Sequence, residues 1–397
     1  MNREDFPMLK QDFVYFDNGA TTFKPAILSE SIREYYNEYS ANAHRGDYDI
    51  SLKVDNMYEG TRKKVQELLH ATSSDEIVFT SGATDALNKI IFGYFRYYLK
   101  KGDEVLLTKS EHASNVLPWF ELADDIGIII RYIELDDHKK VTMKNVKRAI
   151  TPKTKVISLA HITNVVGDIR PIEEINHYAH KMGILVLVDG AQSVPHMKID
   201  VQELDIDFLT FSAHKMYGPT GVGVLYGKKE LLNQIHPIEF GGGMNSSFSS
   251  DGMRIYDELP HLLEPGTPNI AGVIGFGSIL TYLEQIGMDK IAIYEQELHN
   301  YAVEKLKTVP NIILYNEYSE SGIIAMNIKD VFAQDLAIYL NKYKICVRAG
   351  NHCAKILKDE LGIKNTCRIS LAFYNNKEEI DYLVKVLSNP NLKEEII

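Results

Sequence analysis

Cysteine is scarce in this chain. Three occur, Cys346, Cys353 and Cys367, an odd number with no CxxC spacing. That pattern excludes a disulfide framework and a zinc site, and no other metal-ligand set stands out. Positive charge is in deficit: 43 Lys and Arg stand against 54 Asp and Glu, a net charge of -11. Proteins that grip a phosphate backbone cluster Lys and Arg on one face. No such stripe is present, so nucleic acid is not an expected partner. Long apolar runs are missing as well. No stretch approaches ~18 uninterrupted apolar residues, which predicts no membrane span. The opening MNREDFPMLK has neither an apolar core segment nor a cleavage site, so no secretory signal is expected. A reducing cytoplasm is the expected setting. Internal repeats and low-complexity tracts are also lacking.

What is present is the pattern of an α/β enzyme. The 397 residues exceed what one compact core usually holds, which predicts two domains. EIVFTSG (76–82), EVLLTK (104–109), IIIRYI (128–133), KVISLAH (155–161), ILVLVDG (184–190), DFLTFS (207–212) and GVLYG (223–227) read as strands. Helical patterns such as 83–99 and 171–182 lie between them. Strands alternating with helices imply βαβ units and a largely parallel sheet. Runs such as ILVLV lack polar alternation, as a strand buried on both faces should. After about residue 285 the pattern changes. NIILYN, GIIAMNI, KICVRAG and CRISLAF mix with helices at 334–341 and 377–387. The expected division is a large domain over 15–285 and a smaller α+β domain over 286–397, joined by residues 1–14.

Ligands of open parallel sheets bind at the carboxyl ends of the strands. The residues that follow the strands here are polar and ionisable. Asp189 ends ILVLV; such a carboxylate suits the ring nitrogen of a pyridine cofactor, which it keeps protonated as an electron sink. A helix N-cap is the competing reading. Lys215 follows the next strand. A lysine that bonds a carbonyl must be partly desolvated so that its amine is neutral; a solvated loop lysine is the alternative. Gly218–Gly223 follows directly, with glycines that allow close backbone approach. Ser81-Gly82-Ala83-Thr84 ends a strand and opens a helix, offering amides and a hydroxyl to a phosphate. Among the cysteines, Cys346 and Cys367 read as strand-borne and structural. Cys353 follows Gly350-Asn351-His352, a loop signature, and Arg348 and His352 flank it. Positive neighbours favour a reactive thiolate. Arg368 carries the planar fork that binds a carboxylate in two parallel hydrogen bonds, and Arg348 stands near the cysteine.

These segments carry a resemblance. FDNGATTFKP (16–25), FTSGATDALN (79–88), the block over 187–227, EPGTPN (264–269), VRAGNHCA (347–354) and CRISLAFYN (367–375) resemble the cysteine desulfurases of the class V aminotransferase superfamily. The likeness runs from about residue 13 to 385. The short VRAGNHCA segment is similar to the second desulfurase group, which serves Suf-type iron–sulfur assembly. The resemblance implies the fold type I architecture of pyridoxal phosphate enzymes. It implies that Lys215 bonds the cofactor, Asp189 pairs with its ring nitrogen, His112 stacks on the ring and Gln192 bonds its phenolic oxygen. Thr84, Ser212 and His214 would hold the phosphate, and Thr267 would reach the phosphate of a second subunit in a homodimer. Asn164 and Arg368 would hold the substrate carboxylate, and His44 and Arg45 match a further active-site segment. Cys353 would take sulfur from L-cysteine, leaving alanine and a persulfide for an acceptor protein. Selenocysteine lyase and amino transfer use the same cofactor site and are the alternatives. Two places depart from the second-group pattern: Asn351 stands where a histidine is usual, and Met244-Asn245 follows Gly241–Gly243 in place of Glu-Met.

Overall fold

The computed structural model describes residues 2–44 and 46–396. Its centre is a seven-stranded sheet built from Ile77–Thr80 (β1), Glu104–Thr108 (β2), Ile129–Ile133 (β3), Thr154–Ala160 (β4), Leu185–Asp189 (β5), Phe208–Ser212 (β6) and Gly223–Gly227 (β7). The spatial order is β1-β7-β6-β5-β4-β2-β3. β7 runs antiparallel to both of its neighbours, and the pairings from β6 to β3 are parallel. All seven expected strands therefore lie in one mostly parallel sheet.

The missing polar alternation has a direct cause. Val186 and Val188 of β5 join one hydrophobic cluster, and Leu187 between them joins another on the opposite face. β2 and β4 behave alike: Leu106 and Ile157 face one cluster, Val105, Leu107 and Val156 the other. Helices cover both faces, so side chains on either side of the pleat must be apolar. Each such side chain contributes about 1.5–3 kcal/mol by leaving water.

A second sheet has four strands. Ile312–Leu314 (β8), Ile323–Ile328 (β9), Arg348–Gly350 (β10) and Thr366–Ser370 (β11) pair antiparallel in the order β8-β9-β11-β10. Met326, Ile369, Leu336 and Leu383 centre a separate cluster there. The N-terminal segment reaches this part of the chain. Val14–Tyr15 pairs with Ile345–Cys346, and Arg3 donates to Glu379 at 2.8 Å. Helix Ile270–Ile286 is apolar along most of its length because most of it is buried. Among the described residues no single helix is long and apolar enough to cross a membrane.

Two local expectations differ. Residues 83–99 do not form one regular helix: a wider π-turn over Ile91–Phe95 separates Ala83–Ile90 from Arg96–Tyr98. The neighbouring loop explains the site of the break. His236 N donates to the Gly93 carbonyl at 2.8 Å, and a Cβ on Gly93 would sit 2.7 Å from His236 O. KICVRAG is not one strand either. Ile345–Cys346 pairs with the N-terminal segment and β10 with β11. Cys346 is thus half-buried at a two-residue bridge, whereas Cys367 lies fully within the small-sheet core.

Candidate active site

The carboxyl ends of β1, β4, β5 and β6 converge on one cavity of about 220 Å³. Gly223 sets the convergence, because it pairs with Thr80 of β1 and with Ser212 of β6. A Cβ at Gly223 would collide with the backbone of Gly82. The missing side chain lets the 81–84 turn close over the end of β6, where Ala83 N donates to Ser212 Oγ at 2.8 Å. Thr84 Oγ1 is hydrogen-bonded to Ser114 Oγ at 2.7 Å. Thr84, Ser212 and His214 all line the cavity.

Asp189 is buried at the end of β5 and accepts from Ala191 N at 3.0 Å. It makes the local turn expected of a capping residue and also lines the cavity. Burial raises its carboxyl above the usual range, with the Ala191 amide and Lys215 pulling it back. Lys215, one strand over, also lines the cavity. Burial lowers its amine to about 8, against the pull of Asp189. That is the state a lysine needs to attack a carbonyl near neutral pH.

His112 lines the same cavity. Burial first, then Lys215 and the two arginines, push its imidazole down to about 4, so the ring is neutral. Its Nδ1 accepts from Ser114 N at 3.1 Å, which fixes its orientation. The preceding residue, Glu111, is buried. Glu111 takes hydrogen bonds from Arg170, from Thr108 Oγ1 at 2.6 Å and from Ala160 N at 2.8 Å. This network ties the His112 loop to the end of β4.

Another part of the lining is cationic. Arg368 donates to Asp17 Oδ1 and to the Asn164 carbonyl, both at 2.8 Å. Gly19 packs against it: a Cβ there would lie 3.2 Å from Arg368 Cζ. Gln192 Nε2 donates to the Gly19 carbonyl at 2.8 Å. Among the described residues, the buried atoms Arg368 Nε, Asn164 Oδ1 and Gln192 Oε1 in this part of the lining have no partner. Buried polar groups are normally satisfied, so orphans around one cavity mark where a polar ligand completes the structure.

The sequence expectations separate here. Lys215, Asp189, His112, Gln192, Thr84, Ser212, His214, Asn164, Arg368 and Arg348 line one cavity. Cys353 does not; it is exposed, while His352 before it is a lining residue. His352 and Cys353 both have positive φ, 51° and 56°, a conformation non-glycine residues adopt only when held. The hold includes Ala113 N, which donates to the Cys353 carbonyl at 2.7 Å. His352 is not the positive neighbour expected from the sequence. Burial and Arg368 push it down to about 2, so it is neutral and Arg348 is the nearby cation. His44 lies outside this cavity, 3.3 Å from Glu59 and beside His261. Arg45 lies outside the described residues. Thr267 is exposed and also lies outside the cavity. Its loop is tied down by Glu264, which pairs with the buried Arg62 at 2.6 Å. Asp17, Gly19 and Ser114 were not singled out from the sequence, although Asp17 and Gly19 fall inside FDNGATTFKP.

The family model for class V aminotransferases matches residues 14–383. The chain belongs to the class V aminotransferase family. Within it, the chain is 43% identical over 391 residues to a probable cysteine desulfurase of Halalkalibacterium halodurans, covering 96% of this chain and 95% of that one. A cysteine desulfurase of Serratia proteamaculans is 37% identical over 387 residues, with 96% and 95% covered. Among solved structures, a cysteine desulfurase from Escherichia coli superposes with a TM-score of 0.92 at 35% identity, over 99% of this chain and 97% of that one. One from Thermococcus onnurineus gives 0.93, also at 35%, over 97% and 96%. The family's cofactor, pyridoxal phosphate, fits the residues present: a neutralisable lysine, a buried carboxylate one strand away, an unsatisfied amide oxygen on Gln192 and a hydroxyl-rich helix start.

Proposed function

We propose that this protein is a cysteine desulfurase that uses pyridoxal phosphate, takes sulfur from L-cysteine and leaves L-alanine. The observation that carries the reading is the position of Cys353. Its exposed thiol stands on a loop whose preceding residue lines the cavity and whose carbonyl is bonded to the residue after His112. An aminotransferase has no use for a free thiol there.

Lys215 would hold the cofactor, Asp189 would keep its ring nitrogen protonated, Gln192 would meet its phenolic oxygen and the neutral His112 would lie against the ring. Thr84, Ser212 and His214 would hold its phosphate. When bound, the cofactor draws electrons from the α-carbon of the amino acid and so labilises the bond between its β-carbon and sulfur. Arg368 and Asn164 fix the substrate carboxylate, and Arg348 adds a second cation. Lys215 Nζ moves the α-proton. The Cys353 thiolate attacks the substrate sulfur: the S–S bond forms as the bond between β-carbon and sulfur breaks, the electron pair left on the β-carbon takes up a proton, and the protein is left as a persulfide and the amino acid as alanine.

The reading extends to the assembly. Thr267, exposed and outside its own chain's cavity, reaches the cofactor phosphate of a second copy in a homodimer, and His44 belongs to a further active-site segment. Residues 15–285 form the cofactor-binding unit and 286–397, with 1–14, the smaller one. An acceptor protein collects the persulfide sulfur, as iron–sulfur assembly requires. The test is incubation of the holoenzyme with L-cysteine. With a dithiol reductant present to cleave the persulfide, equal amounts of alanine and sulfide, and without it a mass gain of one sulfur on the Cys353 peptide, support the reading. Turnover with the added sulfur absent from that peptide sinks it.

A further inference from the structure

One buried side chain beside Cys353 has no part in the chemistry above. His352 lines the cavity and is 3% exposed. Its Nε2 lies 3.0 Å from both the carbonyl and the hydroxyl oxygen of Thr366. A carbonyl can only accept, so Nε2 carries the proton and Nδ1 presents a lone pair. Nδ1 is buried and has no hydrogen-bond partner among the described residues. An unpaired buried acceptor costs about 1–3 kcal/mol, a cost removed if a ligand meets it.

Thr366 is braced from its other side. Lys358 Nζ donates to Thr366 Oγ1 at 2.6 Å. Lys358 is 2% exposed, and no carboxylate pairs with it among the described residues. A lysine buried without a counter-ion is expensive, and this one makes a single hydrogen bond, to the threonine that orients His352. The backbone is fixed as well. Asn164 Nδ2 donates to the His352 carbonyl at 2.7 Å, and Arg368 donates to the Asn164 carbonyl at 2.8 Å. The imidazole and the carboxylate clamp therefore share one frame.

We propose that His352 accepts a hydrogen bond through Nδ1 from the thiol end of the bound amino acid, and that Lys358 is a positioning residue that aims it through Thr366. The inference rests on the cysteine desulfurase reading. Arg368 and Asn164 take the carboxylate end; His352 precedes the residue that receives the sulfur, so it meets the other end. Burial, Arg368 and Lys358 make it a weak base, so it holds the S–H group without removing the proton.

The test uses the holoenzyme with Lys358→Met, Thr366→Val and Thr366→Ser beside His352→Leu. Two quantities are read: kcat/KM for L-cysteine, and the Kd of L-alanine, which has no thiol. Lys358→Met, Thr366→Val and His352→Leu are expected to lower kcat/KM for cysteine about tenfold, or 1.4 kcal/mol. The alanine Kd should hold, and Thr366→Ser, which keeps the hydroxyl, should behave as wild type. Unchanged cysteine kinetics in both Lys358→Met and His352→Leu overturn the inference. So does a loss of alanine affinity in the same proportion, which indicates general damage to the loop. A wild-type holoenzyme that releases no alanine and sulfide defeats the desulfurase reading instead, and this inference with it.

Discussion

Arg348 and Arg368 lie directly opposite each other on paired antiparallel strands, and both line the same cavity. Like charges at facing positions of a sheet repel. Arg368 has Asp17 at 2.8 Å, whereas Arg348 has no carboxylate partner among the described residues. The cavity thus holds excess positive charge at one wall, which an anionic ligand relieves. In the proposed reaction that ligand is the substrate carboxylate.

Replacing the fork tests this first. Arg368→Lys keeps the charge and loses the parallel hydrogen bonds. The expected result is a KM for L-cysteine raised about tenfold to a hundredfold, as the loss of one charge-assisted hydrogen bond implies. Steady-state kinetics check it. An unchanged KM removes Arg368 from the substrate site.

Lys215→Ala leaves the cavity without the proposed anchor of the cofactor. Loss of all measurable turnover is expected, together with loss of the imine absorbance band. In the wild-type holoenzyme, borohydride reduction followed by peptide mass analysis should place the reduced cofactor on Lys215. Finding it on another lysine contradicts the assignment.

The Lys215 amine gives a pH dependence with a definite sign. Burial lowers it to about 8, so it is a cation below that pH and a free amine above it. Only the free amine attacks a carbonyl. Capture of pyridoxal phosphate by the cofactor-free protein should therefore speed up as pH rises through about 8 and level off above it. Stopped-flow absorbance at a series of pH values is the measurement. A rate that falls over that window reverses the argument.

Cys353→Ala removes the proposed sulfur acceptor without touching the cavity wall. The absorbance of bound cofactor should be retained, while sulfide release from L-cysteine drops on the order of a hundredfold or more. Comparable rates with both proteins would leave the exposed thiol without a catalytic role.

Gly223→Ala tests the backbone where the 81–84 turn meets the end of β6. The added methyl runs into Gly82 and has only backbone to displace. A stability loss of about 1–3 kcal/mol is expected from overpacking, with weaker retention of cofactor than wild type. Thermal melts and dialysis report the two effects.

The seven strands of the large sheet were legible because each must bury both faces, and a run such as ILVLV can do little else. Asp189 and Lys215 were legible as strand-end residues for the same reason. The π-turn at Ile91–Phe95 was not, since it depends on a loop more than a hundred residues further along the chain. Nor was the division of KICVRAG, whose first half finds its partner at Val14–Tyr15. The charge of His352 was misjudged for a related reason. A histidine beside a cysteine reads as a cation until its burial is known, and burial next to Arg368 makes it neutral.

By itself the sequence determined the α/β class, the strand-end carboxylate and amine, and the one cysteine in a loop. These follow from local apolar patterning and from residue chemistry, which neighbours in the chain suffice to express. The tertiary structure decided which polar groups share a cavity and which of them are charged there. It set Arg348 against Arg368, Asp17 against Arg368 and Lys358 against Thr366. Those pairings and the resulting ionisation depend on burial and on strand pairing, and in the case of Asp17 and Arg368 on residues 351 positions apart; no local pattern encodes them.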